Sequence, residues 1–293
     1  MCAMERTTET HRLTWALAIT AIYFFAELLG GILTNSLALL SDAGHMFSDI
    51  AALGLSLFAF QMARRPATTK RTYGYHRLEI LAALINGLTL WLIVGVIFNE
   101  AYRRFLDPPQ VHSLGMLLIA SIGLMVNVVA GMILYGSDHR SLNMRAAFLH
   151  VLGDTLGSVG AVTAGLIMLL TGWYLADPLI SILIGLLILY TSWDLIKESV
   201  DILMQSVPKG IDVEEVQRAL EQVSGVIKVH DLHVWSVTSG VFTLSAHAVI
   251  ALGGNPHLIL DRIEDRLKNQ FCIEHTTIQL EFEDREEREF RDF

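Results

Sequence analysis

The sequence predicts a membrane all-α bundle of six helices followed by a small α+β domain with the order α-β-β-α-β, and three observations carry that reading. The 293 residues are 53% hydrophobic and only 17% charged, with a mean hydropathy of +0.48, too apolar for an ordinary soluble domain. The apolar residues fall almost wholly before about residue 200, in runs long enough to cross a ~30 Å hydrocarbon core at 1.5 Å per residue. From Ser206 onward the periodicity changes to that of amphipathic helices and half-buried strands. The boundaries expected on this basis are residues 1–205 for the transmembrane domain and 206–293 for a cytoplasmic C-terminal domain.

Taken in order, the apolar runs lie near 14–33, 38–63, 80–102, 114–135, 145–171 and 177–196. The first twelve residues are polar and carry no short apolar core with a small-residue cleavage site, so the first run reads as a true span. Arg6, Arg12, Arg64, Arg65, Lys70, Arg71, Arg77, Arg140 and Arg145 fall on one side of the bundle and only Arg103 and Arg104 on the other, which predicts cytoplasmic termini. Pro208 and Gly210 mark the junction. Beyond it, 213–223 reads as a helix, 226–237 and 241–252 as strands, 256–271 as a second helix and 274–283 as a third strand. The net charge of −9 is concentrated in this tail, which argues against nucleic acid as a partner. Cys2 and Cys272 are too few and too far apart for a disulfide framework or a thiolate metal site.

Two apolar stretches carry charge where charge is expensive. "LLSDAGHMFSDIAALG" places His45 and Asp49 four apart, and "AAFLHVLGDTLGSVG" does the same with His150 and Asp154. Residues four apart share a helix face, so each stretch makes a stripe of two ligands about 6 Å long. All four groups fall roughly 10–17 Å into their spans at 1.5 Å per residue, so the stripes can meet at a common depth. Neutral imidazole and carboxylate together suit a borderline divalent cation such as zinc when no thiolate is offered. Interhelical hydrogen bonding is the bland alternative for a single such residue, but four in two matched pairs point to a site.

The pairing also suggests two three-span halves of opposite orientation with a site between them. Gly153, Gly157, Gly160 and Gly44 allow close helix approach, with generic packing as an equal reading. Asp42, one turn before His45, is open to three readings: a ligand on the way in, an acceptor orienting His45, or an ordinary carboxylate near a span end. Asn127 reads as an interhelical hydrogen-bonder.

Together with "TYGYHRLEILAAL" (72–84), "VHDLHVWSVTSG" and "LSAH", these motifs resemble the cation diffusion facilitator family in its bacterial cobalt-zinc-cadmium resistance branch, over nearly the whole chain. The resemblance implies a homodimeric antiporter, not an enzyme. It would export Zn2+, and also cadmium or cobalt, from the cytoplasm in exchange for protons, with His45, Asp49, His150 and Asp154 as the transport site. It further implies a metallochaperone-like, ferredoxin-like cytoplasmic domain in which His230, His247, Glu281 and His257 match metal ligands, with His233 and His275 as nearby candidates. His230 and His233 are three apart, however, and a regular strand would point them to opposite faces.

Some members carry a peripheral site between the second and third spans. Here that loop reads "ARRPATTKRTYGYHRLE", with Tyr75 where a ligand His would stand and basic residues around His76, so no site is expected; Arg64, Arg65, Lys70 and Arg71 read as anchors to anionic lipid. The loop "GSDHRSLN" lacks a His-rich insertion, which favours a bacterial inner-membrane protein. Metal binds only ligands that have released their protons, so one site can link the two fluxes. The competing classes are an intramembrane metalloprotease, a bis-His haem protein and a membrane-anchored metal sensor. No HExxH or CxxCH occurs for the first two, and an anchor has no need of four ligands at the midplane.

Overall fold

A computed structural model describes residues 21–63, 65–135 and 142–282. The helices are α1 (Ala21–Thr34), α2 (Leu37–Ala63), α3 (Arg77–Leu106), α4 (Ser113–Tyr135), α5 (Leu142–Thr171), α6 (Ala176–Leu203), α7 (Val213–Glu221) and α8 (Pro256–Phe271). The strands are β1 (Val226–Thr238), β2 (Val241–Ile250) and β3 (His275–Glu281). The chain divides into two units, one of residues through Gly54 with Ile85–Asp194, the other of Leu55–Leu84 with the residues from Leu195 on.

Among the described residues of the first unit, four helices are long and apolar enough to cross a membrane: Arg77–Leu106, Ser113–Ile133, Val151–Thr171 and Ala176–Leu203, the last and the first continuing into the second unit. Large side chains such as Leu92, Leu118, Leu170 and Tyr190 stand outward, as lipid-facing residues do. The inward faces use smaller residues. Ala38, Leu39, Met116, Ala120, Ala161, Ala164, Ala176 and Ile184 form one core joining α2, α4, α5 and α6. Several hydroxyls within the bundle bond to their own helix, as Ser41 Oγ to Leu37 O and Ser181 Oγ to Asp177 O, both at 2.7 Å, so these groups are satisfied without water. Gly160 faces Ile180, whose Cγ2 would lie 3.2 Å from a Cβ there, and this lets α5 and α6 approach closely.

In the second unit the sheet order is β1-β2-β3, with β1 antiparallel to β2 and β2 parallel to β3. The parallel pair requires a crossover, which α8 supplies. Asp212 caps α7 by accepting from Glu214 N at 2.9 Å, and Asn255 caps α8 with Pro256 in its first turn. Leu220, Leu244, Ile250, Ile263, Leu267 and Ile273 form the core between helices and sheet. The α-β-β-α-β order agrees with the reading from periodicity, and Gly210 occupies a left-handed turn (φ +88°) at the junction.

Candidate functional site

The site in the first unit is built where α2 and α5 face each other. His45 Nε2 lies 3.8 Å from Asp49 Oδ2 one turn on along α2, and 3.6 Å from Asp154 Oδ1 of α5. Three of the four expected ligands therefore converge. His150 lies one turn before Asp154 in the sequence, and its side chain is outside the described residues. His45 and Asp154 border a cavity of about 240 Å³ that is also lined by Asp42, Gly153 and Gly157, with α6 supplying Ile184, Leu187, Ile188 and Thr191 as a largely apolar wall.

Two of the glycines acquire particular reasons here. Gly153 and Gly157 both line the cavity, and a Cβ on Gly157 would sit 3.4 Å from Asp42 Oδ1 and fill part of it. Asp42, 3% exposed, is thus a wall of the cavity rather than a carboxylate at a span end. Asn127 Nδ2 donates to Ser158 Oγ at 3.0 Å, the α4 to α5 hydrogen bond its composition suggested.

The sequence reading missed three buried groups in this unit. Glu27 is 1% exposed in α1 and accepts from Tyr23 Oη at 3.3 Å. The criterion that singled out His45, an ionisable group inside an apolar run, applies equally to "FFAELLGG" and would have found it. Asp177 and Arg104, 0% and 7% exposed, sit at span ends where a charge is unremarkable, and only their burial reveals them.

The tail holds a second cluster. His230, His247 and Glu281 each offer a ligand atom, and these atoms lie within 4.8 Å of one another. Three strands supply them. His230 pairs with His247 across β1 and β2, while Glu281 stands two residues along from the partner of His247 on β3. His230 Nε2 is 3.3 Å from Glu281 Oε2 and His247 Nδ1 is 3.4 Å from Glu281 Oε1. Burial works against the charge of Glu281, but hydrogen bonds from Gln279 and His230 and the charges of His247 and His230 hold its pKa below the ordinary 4.5. Two imidazoles and one carboxylate fit a borderline divalent ion.

The alternation argument about His233 needs correction. The β1 register slips between His230 and His233, which oppose His247 and Ser245, residues two apart on β2. One extra residue on β1 thus returns both histidines to one face. Asp231 sits in this bulge at φ +48°, and its carboxylate lies 2.9 Å from His233 Nε2 and 3.7 Å from His247 Nε2. His257 and His275 are exposed, on the first turn of α8 and at the start of β3, and neither belongs to the cluster. In the loop after α2, the Arg71 guanidinium covers the Tyr75 ring at 4.4 Å.

An apolar bundle with a ligand-lined cavity, followed by a small sheet domain with its own ligand cluster, defines a class: an integral membrane transporter of cations. The model of the cation efflux transmembrane domain matches residues 13–204, and that of the cation efflux protein cytoplasmic domain matches residues 208–283. The chain belongs to this cation efflux family, the cation diffusion facilitators, whose members are transporters and not enzymes.

Among relatives, it is 47% identical over 266 residues to a protein of Bacillus subtilis named "Cadmium, cobalt and zinc/H(+)-K(+) antiporter", covering 89% of this chain and 85% of the relative. It is 42% identical over 267 residues to "Metal cation efflux system protein CzcD" of Cupriavidus metallidurans, covering 91% and 84%. It is 44% identical over 274 residues to "Zinc transporter ZitB" of Pectobacterium atrosepticum, covering 93% and 85%.

Proposed function

We propose that this protein exports divalent metal from the cytoplasm in exchange for protons, with zinc as the principal substrate and cadmium and cobalt as further ones. The names of its relatives support the substrate class. The observation that carries the site is the convergence of His45 and Asp154 from two helices at 3.6 Å on the wall of a cavity. His45, Asp49, His150 and Asp154 form the transport site in this reading, His150 joining from the helix face it shares with Asp154. Both the imidazoles and the carboxylates must release protons to hold metal, so loading and proton release are one event. Protonation from the far side then expels the ion, and each state of the carrier favours a different occupant.

The same reading takes residues 1–205 as a six-span domain and 206–293 as a metallochaperone-like cytoplasmic domain. The protein works as a homodimer in the lipid of a bacterial inner membrane, with both termini inside. His230, His247 and Glu281 hold metal in the tail, with His257 contributing from outside the cluster. The test is zinc-driven proton flux in proteoliposomes. Asp49→Ala and Asp154→Ala are each expected to abolish it, and unimpaired exchange in either variant removes that residue from the site.

A further inference from the structure

The ends of three helices meet around one buried carboxylate. Asp177, in the first turn of α6 and fully buried, accepts from Leu37 N at 2.7 Å, Ala38 N at 3.1 Å and Ser36 Oγ at 2.7 Å. These two amides open α2 and have no partner within their own helix. The local cap, Ser36, reaches only as far as Leu39 N, at 3.3 Å. A residue some 140 positions away therefore completes the start of α2.

Charge reinforces the geometry. The Asp177 carboxylate lies at the positive ends of both α2 and α6, while Arg104 lies in the last turn of α3, at a negative end. Arg104 Nη1 approaches Asp177 Oδ2 at 3.3 Å and donates to Asn35 O at 2.7 Å, and Nη2 donates to Asn35 Oδ1 at 3.0 Å. Asn35 is held in a left-handed turn (φ +56°) that brings the chain from α1 into α2.

The site proposed above depends on the relative height of α2 and α5, and α6 is the element both are measured against. His45 lies about 12 Å along α2 from the capped amides, at 1.5 Å per residue. Asp154 lies about 9 Å along α5 from Gly160, the point where α5 packs against Ile180 of α6. A slip of α2 by one residue would displace His45 by about 1.5 Å, and its separation from Asp154 is 3.6 Å.

From this we infer that Asp177 is a positioning residue for the transport site: by capping α2 from α6, with Arg104 neutralising it, it sets His45 and Asp49 at the height of the α5 ligands. Breaking the pair would leave a buried charge without its partner, so the junction acts as a fixed reference rather than a part that opens in each cycle. The inference rests on the proposed assignment of the α2 and α5 ligands.

The test measures the KM and maximal rate of zinc-driven proton flux, and the cadmium-to-zinc KM ratio, in reconstituted Asp177→Asn, Asp177→Glu and Asp177→Ala, with thermal unfolding of each. Asp177→Asn keeps an acceptor for one amide and is expected to raise KM about 10-fold, a loss of one good interaction, with the maximal rate per folded protein within about twofold. Asp177→Glu keeps the charge but is one methylene longer, and is expected to raise KM and shift the metal ratio as well. A purely structural role would lower the amount of folded protein and leave KM and the ratio of the surviving fraction unchanged, and that result overturns the inference. If Asp177→Ala does not fold, Asp177→Asn and Asp177→Glu decide it. Asp154→Asn serves as the separating control: wild-type flux in that variant overturns the ligand assignment and this inference with it. Loss of flux in Asp154→Asn beside an unchanged KM in Asp177→Asn and Asp177→Glu overturns this inference alone.

Discussion

The α2/α5 site and the tail cluster use the same ligand chemistry on different supports. In the transport site proposed above the groups come in i,i+4 pairs from two helices, so each pair is rigid, while the distance from His45 of α2 to Asp154 of α5 is set by packing. In the proposed tail site His230, His247 and Glu281 come from adjacent strands of a hydrogen-bonded sheet, and their spacing is fixed by register. A carrier must bind and release within a cycle, and helices that can shift against each other permit that. A sheet cluster cannot open without breaking its ladder, which suits it to sensing or holding metal.

The sharpest way to break this comparison is to separate the two sites by mutation. Glu281→Ala removes the carboxylate that faces both His230 and His247. Zinc binding at the tail is expected to weaken by at least about 10–100-fold, the loss seen when even an outer partner of a metal ligand is removed. Flux at saturating zinc is expected to remain. Isothermal titration of the full-length protein in detergent, beside the flux assay, checks both halves. A tail variant that abolished flux at saturating zinc would mean that the sheet cluster belongs to the transport path.

A smaller effect tests how closely the cavity wall is matched to its contents. Gly157→Ala places a methyl 3.4 Å from Asp42 Oδ1, inside the cavity, whereas a Cβ on Gly153 meets nothing within 4 Å. Transport is expected to fall a few-fold in the first variant and to change less than twofold in the second, consistent with about 1 kcal/mol or less for one added methyl in a space that can partly accommodate it. Equal losses in both would show that the α5 glycines matter for helix flexibility rather than for room.

Much of the helical half was legible because hydropathy and the i,i+4 rule act locally: α2 to α6 fall on apolar runs read from the sequence, and His45 of the first motif lies 3.6 Å from Asp154 of the second. What the rules could not see were interactions set by tertiary placement. Asp177 looks like an ordinary first-turn acid in "YLADPL", and nothing local indicates that it caps α2. The bulge at Asp231 was hidden for a related reason: alternation assumes a regular strand, and one inserted residue reverses the facing of everything beyond it. The tail elements themselves were plain, since α7 and α8 carry caps and amphipathic faces that the sequence displays directly.

The smallest predicted effect concerns the charge of Glu281. Burial opposes that charge, while the hydrogen bonds from Gln279 at 2.6 Å and His230 at 3.3 Å and the nearby imidazoles favour it, with the net result that its pKa lies below 4.5. A carboxyl with a depressed folded-state pKa contributes stability that is fully present above its unfolded value and is lost as pH falls through the folded one. In metal-free protein, Glu281→Gln is therefore expected to lower the stability of the tail by about 1 kcal/mol at pH values above 4.5. The difference from wild type should shrink once the pH drops below that value. Thermal unfolding followed by tail-specific hydrogen exchange across that range checks the sign. A difference that persisted undiminished at pH values well below 4.5 would mean that the charge of Glu281 is not what stabilises the tail.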